Sequence, residues 1–215
     1  ITDAPQGALE YIDIFDIEKV KYFAREYLGN LSTKRFFKEC NAWAKQYSKE
    51  LFDFISKDPE YFAQIISIER ECEKPRKDYA NFAEIMPLIG FMDDSFYKAN
   101  LSKDLVFSEK LNDSEILNIL ETYLSNINIL DLGSESEWFD SFKNLFSKLG
   151  YATNKKEFKA CPVNYKGMVA DVAEVLRVAL ALKKSTPNFY LIQKIMGQSR
   201  IKQRISLVFD IIKGR

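Results

Sequence analysis

The side chains of this sequence best suited to chemistry are arginines and aromatic groups, which recognise ligands and do not transform them. Arg76 follows a Lys-Pro pair, and Arg177 interrupts an apolar helical pattern. Tyr22 and Phe189 offer flat rings, and Thr186-Pro187 is predicted to open the helix that contains Phe189. A guanidinium donates from a rigid planar fork, and a ring can stack on a base. The chemistry these groups support is therefore stacking and bidentate hydrogen bonding.

Acid–base and metal chemistry is poorly supported. The sequence has no histidine, which removes the commonest general base. Cys40, Cys72 and Cys161 are far apart and form no Cys-x-x-Cys pair, so a zinc ion lacks an adequate ligand set. We expect them to be buried or half-buried thiols in a reducing cytosol. For Asp93 and Asp94, a loop-like setting without a third ligand favours turn and capping roles over magnesium binding.

Charge and composition limit the class of protein. The chain has 215 residues, 47% of them apolar, which suffices for one large domain or two small ones. Its 31 basic and 31 acidic side chains cancel. This balance argues against an indiscriminate polyanion binder, and any nucleic-acid contact must use local patches. The sequence shows no signal peptide and no long apolar span, so we expect a cytoplasmic location without membrane insertion.

Apolar residues recur at helical spacing along most of the chain, and no alternating strand pattern is present. Five periodic segments follow a side chain that can cap a helix or a proline suited to its first turn. These predicted starts are Asp16, Ser32, Asp58-Pro59, Asp113 and Ser134. Gly150 and Gly197 are predicted to end helices. The pattern predicts an all-α fold, and the absence of a fixed-period repeat disfavours a solenoid.

Residues 91–111 lose the helical period and collect aspartate, asparagine and serine. Such a composition is typical of an interdomain connection. We therefore predict two helical lobes, residues 1–104 and residues 105–215. The first lobe includes a short N-terminal connection.

The closing stretch, residues 175–205, reads VLRVALALKKSTPNFYLIQKIMGQSRIKQRI. Its order of Leu-Arg, small-residue helix, Thr-Pro turn and Gly-x-x-Arg helix resembles the C-terminal anticodon-binding region of bacterial glutamyl-tRNA synthetases, which are class I enzymes. Residues 15–23 and 73–84 resemble further motifs of that region, so the resemblance covers about residues 14–212. The chain departs from the family pattern at Ala24, where asparagine is usual, and at Ala181-Leu182, where Thr-Gly is frequent.

The resemblance implies a two-lobed helical cage that binds a tRNA anticodon. By position it assigns anticodon contacts to six residues, which are Tyr22, Arg76, Arg177, Thr186, Pro187 and Phe189. Among these, Tyr22 would stack on a base, and Arg76 would contact the third anticodon base and help separate glutamate tRNA from glutamine tRNA. The implied partner is tRNA(Glu), with tRNA(Gln) as a second candidate, bound by a monomer.

The resemblance also implies a parent ligase that charges tRNA with glutamate using ATP and magnesium. The His-Ile-Gly-His and Lys-Met-Ser-Lys-Ser types of motif and glycine-rich phosphate loops are missing here. We therefore expect this segment to have no catalytic residues, no metal and no cofactor of its own. The first residue is Ile1, not methionine, which fits the expectation of a fragment.

Several alternatives stay open at this point. The helical domain of a class I lysyl-tRNA synthetase shares the architecture, and a helical protein-interaction module would need no RNA. Tyr22 could be an ordinary aromatic residue of an amphipathic helix, and Arg177 could extend towards solvent or pair with Glu174. Arg76 could belong to a solvated basic loop, and a short insertion leaves Lys77 or Asp78 as candidates for the third-base position.

Overall fold

The fold is almost entirely helical in this computed structural model, which describes residues 16–131 and 133–214. Eleven α-helices lie within those ranges, and the strands there form one parallel pair of two residues each. The all-α prediction is confirmed. Phe15 and the predicted N-terminal connection lie outside the described residues. No helix within those ranges combines the length and apolar character needed to cross a membrane.

The first of two compact units extends to Pro87. Its described helices are α1 (Ile17–Gly29), α2 (Thr33–Tyr47), α3 (Lys49–Lys57), α4 (Pro59–Ser67) and the beginning of α5 (Ile85–Ile89). The helix starts predicted at Asp16, Ser32 and Asp58-Pro59 are confirmed. At each start a side-chain oxygen accepts a hydrogen bond from a backbone N–H of the first turn.

The buried side chain of Arg70 links two helices of the first unit. Its guanidinium donates to the carbonyl oxygens of Ile66 at 2.9 Å and Leu28 at 2.6 Å, near the ends of α4 and α1. It also lies 3.9 Å from the centroid of the buried Phe36 ring. The last carbonyls of a helix have no partner within the helix, so this buried cation satisfies groups that burial would otherwise leave unpaired.

The second unit begins at Leu88. After the end of α5 it contains α6 (Asp94–Asp104), α7 (Asp113–Ser125), α8 (Glu135–Ser147), α9 (Lys155–Ala160), α10 (Val169–Ala181) and α11 (Phe189–Lys213). Strand β1 (Tyr151–Ala152) pairs with strand β2 (Gly167–Met168). The predicted stop at Gly197 is a kink inside α11, where φ is 75° and ψ is 156°. Only glycine adopts this region without strain.

The division between the units differs from the boundary predicted after residue 104, because α6 occupies much of the predicted connection. The Tyr97 hydroxyl donates to the Ala179 carbonyl at 2.6 Å. Asp94 accepts from Arg200 at 2.9 Å and from the buried Arg204 at 2.7 Å. Asp94, one of the acidic residues that suggested a linker, therefore has tertiary partners in the second unit, and Asp93 caps α6.

Candidate nucleic-acid interface

Arg177 lies on α10 in the second unit, and its guanidinium rests on an aromatic ring. The Cζ atom of Arg177 is 5.0 Å from the centroid of the Phe189 ring. The side chain is half-buried, and it makes no hydrogen bond or ion pair to residues 16–131 or 133–214. Burial lowers the pKa of the Arg177 guanidinium, and the nearby charge of Glu174 opposes that effect. The result is an oriented cation whose planar donors are available to a ligand.

The Phe189 ring packs against the Arg177 guanidinium. The ring is only 5% exposed and meets Trp138 edge-on at a centroid distance of 6.5 Å. Its contacts are therefore made inside the second unit, and Arg177 covers it. Phe189 is a positioning residue for Arg177, and it does not offer a bare face to a base. Cation–π contact of this kind contributes about 0.5–2 kcal/mol, depending on how far the pair is desolvated.

Thr186 and Pro187 precede α11 but do not open it. The helix begins at Phe189, and its N-cap is Asn188, whose side chain accepts from the Leu191 N–H at 3.0 Å. The expectation that Thr186 and Pro187 start this helix is thus corrected. The Thr186 hydroxyl donates to the Pro187 carbonyl at 2.9 Å, and both residues are half-buried.

The N-terminus of α11 is also partly occupied by the protein itself. The Asn188 amide donates to both carboxylate oxygens of Glu135, at 3.1 and 3.0 Å. A carboxylate near the positive end of a helix is favourable, and it lowers the attraction of that end for a phosphate. Of these two groups, Arg177 is therefore the one whose hydrogen-bond donors have no acceptor within the described residues. The N-terminus of α11 already has the Glu135 carboxylate beside it.

The turn between α10 and α11 keeps the backbone shape that a glycine would give it. Leu182 is the C-cap of α10 and adopts a left-handed conformation, with φ of 58° and ψ of 28°. Glycine is the usual residue at such a position because it has no Cβ atom to clash. The sequence difference at Ala181-Leu182 therefore leaves the left-handed turn in place, at the cost of backbone strain at Leu182.

Arg76 lies in the loop that follows α4 in the first unit, and its guanidinium is already engaged. It donates to both oxygens of Asp78, at 2.7 and 3.0 Å, and to Glu69 at 3.4 Å. Donating these hydrogen bonds to Asp78 raises the pKa of the Arg76 guanidinium, against the opposing effect of burial. A base edge would therefore have to share the guanidinium donors of Arg76 with Asp78, or replace Asp78 as their acceptor.

The loop with Arg76 packs on the end of α1. Lys77 forms an ion pair with Glu26 at 2.7 Å. A Cβ atom at Gly29 would approach the Lys77 side chain to 2.8 Å and the Arg76 carbonyl to 3.1 Å, so the close approach requires glycine. Arg76, Lys77 and Asp78 therefore all have protein partners, and the side chains of Arg76 and Lys77 are 38% and 40% exposed.

Tyr22 lies on the opposite half of the same helix, α1, and it is open to solvent. Its exposed fraction is 58%, and its ring meets Phe23 edge-on at 5.6 Å. An exposed, flat ring is suited to stacking on a base. Arg25 is half-buried one turn further along α1. The spacing of three residues between Tyr22 and Arg25 places them on one helix face.

Comparison with known proteins finds similar sequences along most of the chain. Three curated relatives are glutamate–tRNA ligases: from Clostridium perfringens (strain 13 / Type A), 31% identical over 192 residues; from Clostridium beijerinckii, 31% identical over 199 residues; and from Sorangium cellulosum, 28% identical over 203 residues. These matches cover 89%, 92% and 94% of the chain. The chain is related to the C-terminal part of glutamate–tRNA ligases.

The similarity covers only part of the length of these glutamate–tRNA ligases. The matches cover 35%, 36% and 34% of those three relatives, so the chain spans about a third of their length. No protein-family model matches the chain. The similarity extends through both compact units, because the matched residues make up about nine-tenths of the sequence.

Within this ligase-related chain the six candidate residues form two sets. Tyr22 and Arg76 belong to the first unit, where α1 and the Arg76 loop touch. Arg177 and Phe189 are in direct contact in the second unit, and Thr186 with Pro187 lies in the turn that precedes Phe189. Each unit thus presents its own arginine and aromatic groups.

Proposed function

We propose that this chain is the tRNA-binding, anticodon-recognising segment of a glutamate–tRNA ligase. The relatives are named for a ligase that acts with glutamate and tRNA, and they supply the class of partner. The observation that favours recognition by this segment is the free, half-buried guanidinium of Arg177 on Phe189. Its partner is a base edge of an unstacked nucleotide, which a planar donor fork can bind in two places at once.

The proposed binding mode combines two sets of contacts. In the second unit, Arg177 donates to a base edge, and Thr186 and Pro187 border the same site. In the first unit, Tyr22 stacks on a base, and Arg76 contacts the third anticodon base. Because Asp78 and Glu69 already hold Arg76, base binding there is an exchange of hydrogen bonds, and its net contribution is smaller than that at Arg177.

The wider activity follows from the same proposal. The cognate partner is tRNA(Glu), with tRNA(Gln) as a second substrate where Arg76 does not discriminate. A complete ligase attaches glutamate to this tRNA with ATP and magnesium, and that chemistry belongs to residues beyond this segment. We propose that the segment acts as a monomer.

A binding panel tests this function. Transcripts of tRNA(Glu), tRNA(Gln) and tRNA(Lys), together with tRNA(Glu) bearing single anticodon changes, are titrated against the chain at one fixed salt concentration. We expect tRNA(Glu) to bind most tightly, and each anticodon change to cost about 1–3 kcal/mol. Preference for tRNA(Lys) would instead favour the related lysyl enzyme. Equal affinity for every RNA would reject anticodon recognition.

A further inference from the structure

Five exposed lysines surround the short helix α9 in the second unit. This lysine cluster comprises Lys148, Lys155, Lys156, Lys159 and Lys166. Between its first and last members the sequence has one acidic residue, Glu157. The chain as a whole has no net charge, so this segment concentrates positive charge in one place. None of the five forms an ion pair with any part of the chain that the structure describes.

Glu157 keeps its negative charge but forms no ion pair with these lysines in the described part of the chain, because its carboxylate accepts hydrogen bonds that build the loop. It accepts hydrogen bonds from the Tyr165 hydroxyl at 2.8 Å, the Thr153 hydroxyl at 2.8 Å and the Thr153 N–H at 2.9 Å. The bonds from Tyr165 and Thr153 lower the pKa of the Glu157 carboxyl. The Glu157 N–H in turn donates to Asn154, the N-cap of α9, at 2.9 Å. This bonding holds the loop in one shape and leaves the ammonium groups in solvent.

The cluster lies close to the proposed base site along the chain. Strand β2 follows Lys166 and leads directly into α10, on which Arg177 lies nine residues after Met168. At 1.5 Å per helical residue this separation is about 14 Å, which is roughly four nucleotides along one strand of a duplex. One stem-loop could therefore meet Arg177 with its loop and the cluster with its backbone.

We infer that the lysine cluster is a binding site for the phosphodiester backbone of RNA, a contact that rests on the proposed function and deepens it. Flexible ammonium groups act as point charges, and they suit phosphates better than base edges. Contacts to phosphate position an RNA without sequence preference, whereas Arg177 would supply the preference. The cluster therefore affects every RNA equally and gives binding its salt dependence.

The test replaces three cluster lysines, in the variant Lys155→Gln/Lys156→Gln/Lys159→Gln, and measures tRNA(Glu) binding over a series of salt concentrations. Each phosphate contact contributes about 0.7–0.9 to the slope of log affinity against log salt. We expect the slope to fall in magnitude by about 2–3, and affinity to fall on the order of a hundredfold at about 0.1 M salt. The ranking of anticodon variants should not change.

A matched control removes the same charge elsewhere in the second unit. Lys98 and Lys103 on α6 and Lys202 on α11 are also exposed, and the triple change of these residues to glutamine leaves the cluster intact. Circular dichroism and thermal unfolding of both triple variants report whether either has lost the fold. A slope that falls no further in the cluster variant than in this control overturns the inference.

An RNA hairpin without the anticodon sequence is the second probe. We expect the cluster variant to lose hairpin binding in the same proportion as tRNA binding. If anticodon changes matter but the cluster variant matches the control, the cluster inference fails and the proposed function stands. If the cluster variant weakens both RNAs while anticodon changes have no effect, anticodon recognition fails and the cluster stands. Absence of binding to either RNA at low salt overturns both.

Discussion

Replacing Arg177 with alanine separates RNA recognition from folding. The guanidinium has no hydrogen bond within residues 16–131 and 133–214, so its removal breaks only the contact with Phe189 and some packing of its aliphatic stem. We expect the free energy of unfolding to fall by about 1 kcal/mol or less, because the cation–π contribution is offset by relief from burying a charge. A bidentate contact with a base is worth more, about 1–3 kcal/mol.

The assay is direct titration of tRNA(Glu) against the wild-type chain and the variant at one salt concentration. A loss of 1–3 kcal/mol corresponds to about a 5- to 150-fold weaker affinity. Arg177→Lys is the matched variant, because it keeps the charge and loses the planar fork. It should keep the salt slope of wild type and lose most of the preference for the cognate anticodon.

Two results would refute the role of Arg177. Unchanged affinity in Arg177→Ala would mean that the side chain only lies against Phe189. Full recovery of anticodon preference in Arg177→Lys would mean that charge alone is needed, and hence that the group meets a phosphate and not a base. Urea unfolding of both variants ensures that a change in affinity is not a change in the folded fraction.

Three further predictions concern other residues. Arg76→Gln should narrow the preference for tRNA(Glu) over tRNA(Gln), and an unchanged affinity ratio would remove Arg76 from the site. Asp94→Asn should lower the free energy of unfolding by about 1–3 kcal/mol at neutral pH, since Arg204 loses its carboxylate. Burial raises the pKa of Asp94, but Arg204 and Arg200 outweigh it and hold the pKa below its ordinary value. The stability that Asp94 contributes is therefore present above its unfolded pKa of about 3.9 and lost as pH falls through the folded value, so the difference between wild type and variant in urea titrations should shrink in acid. Gly197→Ala should cost about 1–3 kcal/mol in the same titrations because of its positive φ, whereas Gly133→Ala should cost less.

Local sequence signals predicted most helix starts. The features that the sequence did not predict depend on contacts between residues far apart in the chain. Ser134 accepts from the Glu137 N–H at the start of α8, because a helix cap involves only neighbouring residues. In the sequence, Asp94 suggested a linker. The neighbouring residues do not show whether its carboxylate faces water or, as in the structure, an arginine more than 100 residues later in the chain. Two contacts join α6 to the rest of the second unit: Arg204 donates to Asp94, and the Tyr97 hydroxyl donates to the Ala179 carbonyl. No local sequence pattern indicates either contact.

The candidate site was predictable in residue type and only partly in contact. The resemblance brought Arg177 and Phe189 forward together, but it did not indicate that Phe189 would be buried beneath Arg177. The capping of α11 by Asn188 was also missed, because Thr186-Pro187 is the stronger local start signal. Glu135, which holds Asn188, is 53 residues away in sequence, so the competition at that helix end is a tertiary effect.

The arginines of the described residues differ in what holds their guanidinium groups, and this difference bears on function. Arg70 and Arg204 are buried and donate to backbone carbonyls, and Arg76 is held by two carboxylates. These arrangements provide acceptors for guanidinium donors that folding removes from water. Arg177 is half-buried without such bonds, so folding desolvates a charge and gains only a ring contact. A half-buried guanidinium without hydrogen bonds to the described residues is expected where a ligand completes those bonds. Saturating tRNA should therefore stabilise the wild-type chain against unfolding more than it stabilises Arg177→Ala, even though the two chains have nearly equal stability without RNA.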